Sequence, residues 1–137
     1  MKQFLFLCLI INLFSQNTRY INQDEHAMSS EAVIAGNLIY IYGVVGSSEN
    51  GEVPLSAEDQ TTLIFEKIKQ LLEKQKSSLN HIITLKSFHT DVEEIEEFNF
   101  IKKKYITSNY PSCSAIGIRS FVDRRFKIML DIVAIIK

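Results

Sequence analysis

The sequence predicts an α+β fold in which a small sheet carries two helices on one face. Two observations support this class. Runs of β-branched and aromatic residues occur near both ends of the chain, and two segments between them have apolar residues at helical spacing, with a short strand candidate separating the two. The predicted order is therefore strands, helix, strand, helix, strands.

The composition describes one globular domain. The chain has 137 residues, of which 46% are hydrophobic and 23% charged, which excludes a disordered chain and a coiled coil. Its 15 Lys+Arg and 16 Asp+Glu leave a net charge of -1, and it contains no Trp. Because binding to phosphates depends on excess positive charge, no nucleic-acid partner is expected.

The first fifteen residues have the proportions of a secretory signal. Lys2 precedes an apolar run over residues 4–11, and Ser15 is a small residue at a plausible cleavage position. We expect residues 1–15 to be removed and 16–137 to form a single domain, which would then be secreted or periplasmic and have no membrane contact. Two alternatives remain open: a buried N-terminal strand or helix of a cytoplasmic protein, and an uncleaved anchor, although the run is short for a bilayer span.

Cleavage would change the cysteine count. The mature chain would lose Cys8 and keep Cys113, so it would carry no disulfide of its own in an oxidising compartment. It would also lose Lys2, which leaves 14 basic residues against 16 acidic ones and a net charge of -2.

The first half of the domain predicts a hairpin followed by a helix. Ala32 to Val45 contains two β-rich runs separated by Gly36-Asn37, a dipeptide suited to a tight turn. Ser56 is the predicted N-cap of the first helix, with Asp59 completing a capping box. The helix buries one face, made of Thr61, Ile64, Phe65, Ile68, Leu71 and Leu72.

The second half predicts a strand, a helix and two strands. The strands are Ile82 to Phe88, Cys113 to Ile118 and Arg125 to Ile136, and the helix runs from about Val92 to Ile106 after a capping box at Thr90 and Glu93. Acidic residues in the first turns of this helix and lysines in its last turns match the helix dipole, which indicates a solvated helix rather than a binding patch.

The last strand has apolar residues on both faces. Phe126, Ile128, Leu130 and Ile132 alternate with a set that is itself half apolar. Since two helices cover only one face of the sheet, we expect a partner subunit on the other.

Several strings resemble the Rid/YjgF family of imine deaminases over residues 20–135. They are AVIAGN from Ala32, GEV from Gly51, Gln60-Thr61, LLEKQKSSLNHI from Leu71, Asp91 with Asn99, Tyr110-Pro111, and DIVAI from Asp131. The resemblance implies a chorismate-mutase-like fold with a mixed sheet, assembled as a homotrimer with ligand clefts between subunits.

The resemblance also implies a function that this sequence alters. Members of the deaminase type hydrolyse enamines or imines to keto acids and ammonia, and an Arg two residues after a proline grips the substrate carboxylate. Here the string is YPSCSA, so the position is Cys113, which has no fixed positive charge. Arg119 is about 20 Å further along the strand direction, too far to replace it.

Other family site positions differ as well. The resemblance maps the ligand cleft to Ser30, Tyr42, Cys113, Met129 and Asp131. Of these, Met129 stands where the family has the acid that binds the attacking water. We assign no catalytic residue and expect no cofactor. The histidines His26, His81 and His89 show no metal-ligand spacing, so no metal is expected.

The sequence therefore predicts a trimer whose divergent cleft binds or transforms a non-standard small metabolite. Two alternatives are a 2-iminobutanoate or 2-iminopropanoate deaminase and a non-enzymatic structural or chaperone-like trimer, in which Tyr42 and Met129 close the cleft. For Cys113 a thiol nucleophile and a small buried apolar residue both remain possible readings.

Overall fold

The structure is a computed structural model and describes residues 17–137. The predicted signal segment 1–15 and Cys8 lie outside the described residues.

A six-stranded mixed sheet forms the framework, in the order β1-β2-β3-β6-β4-β5. All neighbouring strands are antiparallel except β4 and β5, which are parallel. This topology places β6, the last strand of the chain, at the centre of the sheet. The strands are β1 Thr18–Asp24, β2 Ser29–Ala35, β3 Leu38–Val45, β4 Ile82–His89, β5 Ser112–Gly117 and β6 Ile128–Ile135.

The two helices are α1, Ala57–Lys74, and α2, Ile95–Tyr105. The predicted N-cap of α1 is confirmed, since Asp59 N donates to Ser56 Oγ at 3.0 Å. The second helix differs from the prediction at its start, where Val92–Glu94 is a 3₁₀ turn. The residue that caps this 3₁₀ turn is Asp91 and not the predicted Thr90, because the Asp91 carboxylate accepts the backbone N–H of Glu93 at 2.9 Å.

Both helices pack on the same face of the sheet. Every second residue of β6 is buried there, from Ile128 to Ala134, while the residues between them are half-buried. The core on this face also contains Phe65 of α1 and Phe98 of α2, whose rings stack with centroids 6.3 Å apart. Among residues 17–137 no element covers the opposite face of β6.

The strand β1 is a feature that the residue pattern did not predict. Its segment TRYINQD is mostly polar, and six of its seven residues are exposed. It forms because β2 offers a free edge, with which it pairs in register from Thr18 opposite Ala35 to Asp24 opposite Ser29. Hydrophobic alternation carries no signal for such an edge strand.

Gln60 ties the start of β6 to the helix α1. Its side chain is fully buried, and its Nε2 donates to Pro54 O at 2.7 Å and to Arg125 O at 2.9 Å. Its Oε1 accepts the N–H of Lys127 at 2.8 Å. Because these bonds use the backbone of residues 125–127, β6 begins at Ile128 and not at the predicted Arg125.

His89, at the end of β4, is held neutral in the core. Only 1% of its surface is exposed, its Nε2 lies 2.8 Å from Ser87 Oγ, and its ring meets Phe98 edge-on. Burial lowers the pKa of His89 below 6.5; Glu94 partly opposes this effect and Lys102 adds to it.

This burial predicts a pH-dependent stability. Below about pH 6.5 His89 binds a proton in the unfolded chain but not in the folded protein, because its folded-state pKa is lower. The free energy of unfolding therefore falls as the pH falls from 6.5 toward the folded-state pKa. Urea unfolding of the wild type between pH 5 and 7.5 measures this slope, which the variant His89→Leu should reduce. The exposed His26→Gln variant is the control, and an identical slope in His89→Leu and wild type would contradict the prediction.

Candidate functional site

The site is built around a bulge in the middle of β3. The pairing of β3 with β6 shifts between Ile41 and Val44, so that Tyr42 and Gly43 bulge out beside Asp131. The Asp131 carboxylate closes the bulge, as its Oδ1 accepts the N–H of Gly43 at 2.8 Å. Gly43 has a φ of +73°, a backbone conformation that favours glycine, so the sequence permits the bulge here.

A cleft of about 310 Å³ opens beside this bulge. It extends across β6 and β4 to the beginning of the edge strand β5. Its lining consists of Tyr42, Thr84, Leu85, Lys86, Ser112, Cys113, Ser114 and Asp131. The structure therefore brings together three of the five predicted site residues: Tyr42, Cys113 and Asp131.

Lys86 is a cleft residue that the sequence reasoning missed. It stands opposite Asp131 in the antiparallel ladder of β4 and β6, and next to Ser114 in the parallel ladder of β4 and β5. Directly opposed residues have Cβ atoms about 4.5–5.5 Å apart. The residue is exposed, and in the described part of the chain its ammonium makes no salt bridge. The sequence did contain one signal for this residue, since Lys86 is a charged residue within the predicted strand Ile82 to Phe88.

Cys113 lies at the boundary between two cavities. In the ladder it pairs with the fully buried Leu85, so its Cβ lies on the side of the sheet that the helices cover. Cys113 is nonetheless exposed in the single chain, so the prediction of a small buried apolar residue does not hold there. Its Sγ donates to Pro111 O at 3.4 Å. The second cavity, about 530 Å³, lies between β5 and the end of α2.

Ser30 lines a neighbouring cavity of about 370 Å³, which shares Tyr42 with the cleft. The cation on its wall is Lys67 of α1, whose Nζ donates to Val45 O at 2.8 Å and to Ser47 Oγ at 3.0 Å. Burial lowers the pKa of Lys67, and the nearby charge of Glu31 opposes this shift. Since two of its donors are bound to the loop after β3, Lys67 holds that loop in place.

Met129 lies on the same face of β6 as Asp131, but it lines none of the three cavities described above. Its ladder neighbours are Val45 of β3 and Phe88 of β4, and it is half-buried. Tyr42 is 61% exposed at the mouth of the cleft. Tyr42 and Met129 therefore do not close the cleft in the single chain.

Within residues 17–137 no group of three or more His, Cys, Asp or Glu side chains is placed to hold a metal ion. The same residues contain no helix that is long and apolar enough to span a membrane.

The architecture defines a class of protein before any finer assignment. The structure of mitochondrial Mmf1 from yeast superposes with a TM-score of 0.81 at 22% identity, over 88% of this chain and 100% of that one. A YjgF-family protein from Neisseria meningitidis superposes with a TM-score of 0.80 at 20% identity, over 89% of this chain and 97% of that one. The fold is thus the α+β fold of the YjgF proteins.

Sequence comparison identifies the family. The model of the family described as Endoribonuclease L-PSP matches residues 23–136, and the chain therefore belongs to this family, which includes the Rid/YjgF proteins. The RutC family protein YjgH of Escherichia coli is 31% identical over 96 residues, which cover 69% of this chain and 72% of that protein. The mitochondrial protein MMF1 of Saccharomyces cerevisiae is 28% identical over 95 residues, which cover 69% of this chain and 66% of that protein.

Proposed function

We propose that this Rid/YjgF-family protein binds a small carboxylate metabolite in the cleft between β3 and β5, with Lys86 as the cation that holds the carboxylate. The observation that carries the proposal is the position of Lys86, between Asp131 and Ser114 on the floor of the cleft that also contains Cys113. In this proposal the cation is on β4, at Lys86, and not at the motif position on the neighbouring β5, which is Cys113.

The change of cation changes how a ligand is held. An arginine binds a carboxylate through two parallel hydrogen bonds, whereas a lysine is a single flexible point charge. The hydroxyls of Ser112 and Ser114 line the same cleft and can supply the directional contacts that lysine lacks.

A homotrimer is part of the proposal. The face of the sheet that bears Tyr40, Val33 and Val133 is apolar and half-buried, and no helix covers it among the described residues. Contact between such faces would remove apolar surface from water and bring a second chain to the mouth of the cleft.

Imine hydrolysis is a second candidate, which one observation favours. Asp131 lies in the cleft opposite Lys86, and only its Oδ1 is engaged, by Gly43 N, in the described structure. The remaining oxygen could orient a water toward an imine carbon while Lys86 holds the carboxylate.

The test is pyruvate binding to residues 16–137, measured by calorimetry. We expect saturable binding by a particle of three chains, and a Kd about tenfold higher in Lys86→Gln, which corresponds to the loss of one charged hydrogen bond. Lys74→Gln removes an equal charge from the exposed end of α1 and should bind like the wild type.

Four further outcomes are decisive. Equal affinity in Lys86→Gln and wild type would reject Lys86 as the cation, and a monomer in light scattering would reject the trimer. The variant Cys113→Arg restores the motif cation and should bind pyruvate more tightly than the wild type. Rapid turnover of 2-iminopropanoate by the wild type would assign the deaminase activity instead.

A further inference from the structure

We propose that the loop between β5 and β6 forms a second binding site, for a small phosphate monoester with an apolar substituent. This loop, residues 118–127, borders a cavity of about 320 Å³ lined by Thr90, Arg119, Ser120, Phe121, Arg124 and Phe126. That volume lies within the range of small-molecule sites. Cys113 lies at the start of β5, whereas Arg119 lies just beyond its end, six residues or about 20 Å further along the strand direction. The cavity at this loop is therefore separate from the cleft that contains Lys86.

The charges of the loop are distributed unevenly. Arg125 is neutralised by Asp123, to which its guanidinium donates at 3.1 Å through Nε and at 2.7 Å through Nη2. This bonding lowers the pKa of Asp123 and keeps its carboxylate ionised. Arg119 and Arg124 form no salt bridge with any residue of 17–137, and the lining contains no carboxylate. Two guanidinium charges therefore face the cavity uncompensated.

The loop is held in shape by its backbone. Ile118 N donates to His89 O at 2.8 Å at its start, and Phe126 N donates to Asp123 O at 3.2 Å near its end. The Asp123 carboxylate also accepts Arg125 N at 3.0 Å, and buried Gln60 binds Arg125 O. A ligand would therefore meet a preorganised loop and would not have to order it on binding.

The lining matches the two parts of a phosphate monoester. A phosphate carries a charge of about -1.5 to -2 at pH 7 and three acceptor oxygens, which suit two guanidinium groups. The Ser120 hydroxyl has no hydrogen-bond partner within residues 17–137 and can donate to the same group. The half-buried rings of Phe121 and Phe126 offer an apolar wall for the substituent.

The experiment compares phenyl phosphate with inorganic phosphate by calorimetry on residues 16–137. We expect saturable binding of phenyl phosphate, weaker binding of inorganic phosphate, and a Kd for phenyl phosphate at least about tenfold higher in the double variant Arg119→Gln/Arg124→Gln. The variant Lys74→Gln/Lys76→Gln also removes two positive charges, from the last residue of α1 and the exposed turn after it, and should bind like the wild type. Circular dichroism checks that both variants fold.

The outcomes separate this site from others. Equal affinity in the arginine variant and wild type, or no binding of phenyl phosphate, would overturn the proposal. Sedimentation with phosphatidic acid vesicles without binding of phenyl phosphate would indicate a lipid headgroup and also overturn it. Since pyruvate binding depends on Lys86, the arginine variant should keep its wild-type pyruvate affinity, so failure here and failure of the proposed cleft are distinguishable.

Discussion

The variant Gln60→Leu is expected to lower the free energy of unfolding by about 3–5 kcal/mol. The leucine would fill most of the space of the fully buried side chain but could not replace its three hydrogen bonds. It would leave two carbonyls, of Pro54 and Arg125, and the N–H of Lys127 without partners. Each partly buried group that loses its partner costs about 1–3 kcal/mol, reduced where water reaches it.

The matched control is Gln70→Leu on the same helix. Gln70 is exposed, so the identical substitution should change the unfolding free energy by no more than about 0.5 kcal/mol. Urea denaturation of both variants at pH 7.5 measures the difference. Two similar midpoints would mean that the contacts of Gln60 contribute little to stability.

The variant Gly46→Ala is expected to destabilise the protein by about 3 kcal/mol or more. A Cβ on Gly46 would lie 2.5 Å from the Cα and the carbonyl oxygen of Gln60. These are backbone atoms of α1, so the helix would have to move away from the loop after β3. That movement would disturb the apolar face of α1 and the bonds of Gln60 together.

Gly51→Ala separates the steric effect from backbone preference. Gly51 has a φ of +84° but open space around its Cα, so alanine there should cost only about 1–2 kcal/mol through conformation. Thermal unfolding of the two variants measures the ranking, and a larger loss in Gly51→Ala would contradict the close packing of Gly46 against α1.

Most of the fold could be predicted from local patterns. The hairpin at Gly36-Asn37, the amphipathic α1 and the order of the later elements follow from periodicity and turn residues, and all occur in the structure. The boundaries that differ do so for tertiary reasons. The predicted start of the last strand at Arg125 failed because Gln60, 65 residues earlier, binds the backbone there.

The site was predictable only in part. The resemblance indicated Tyr42, Cys113 and Asp131, which do line one cleft. It also grouped Ser30 and Met129 with them, but Ser30 lines a neighbouring cavity and Met129 lines neither of these two cavities. Along the sequence, Arg119 was the candidate for a replacement cation, because it is only six residues from Cys113. Lys86 is 27 residues away from Cys113 in sequence, and only the parallel pairing of β4 with β5 brings the two strands together.

By itself, then, the sequence determined the class of fold, the family and the absence of the motif arginine at Cys113, because these depend on local patterns and on matched strings. The tertiary structure decided which charges share a cavity. Strand register sets Lys86 against Asp131, and the turn at Asp123 neutralises Arg125 while leaving Arg119 and Arg124 free of salt bridges among residues 17–137. Such juxtapositions arise from long-range pairing, which hydrophobic periodicity does not encode.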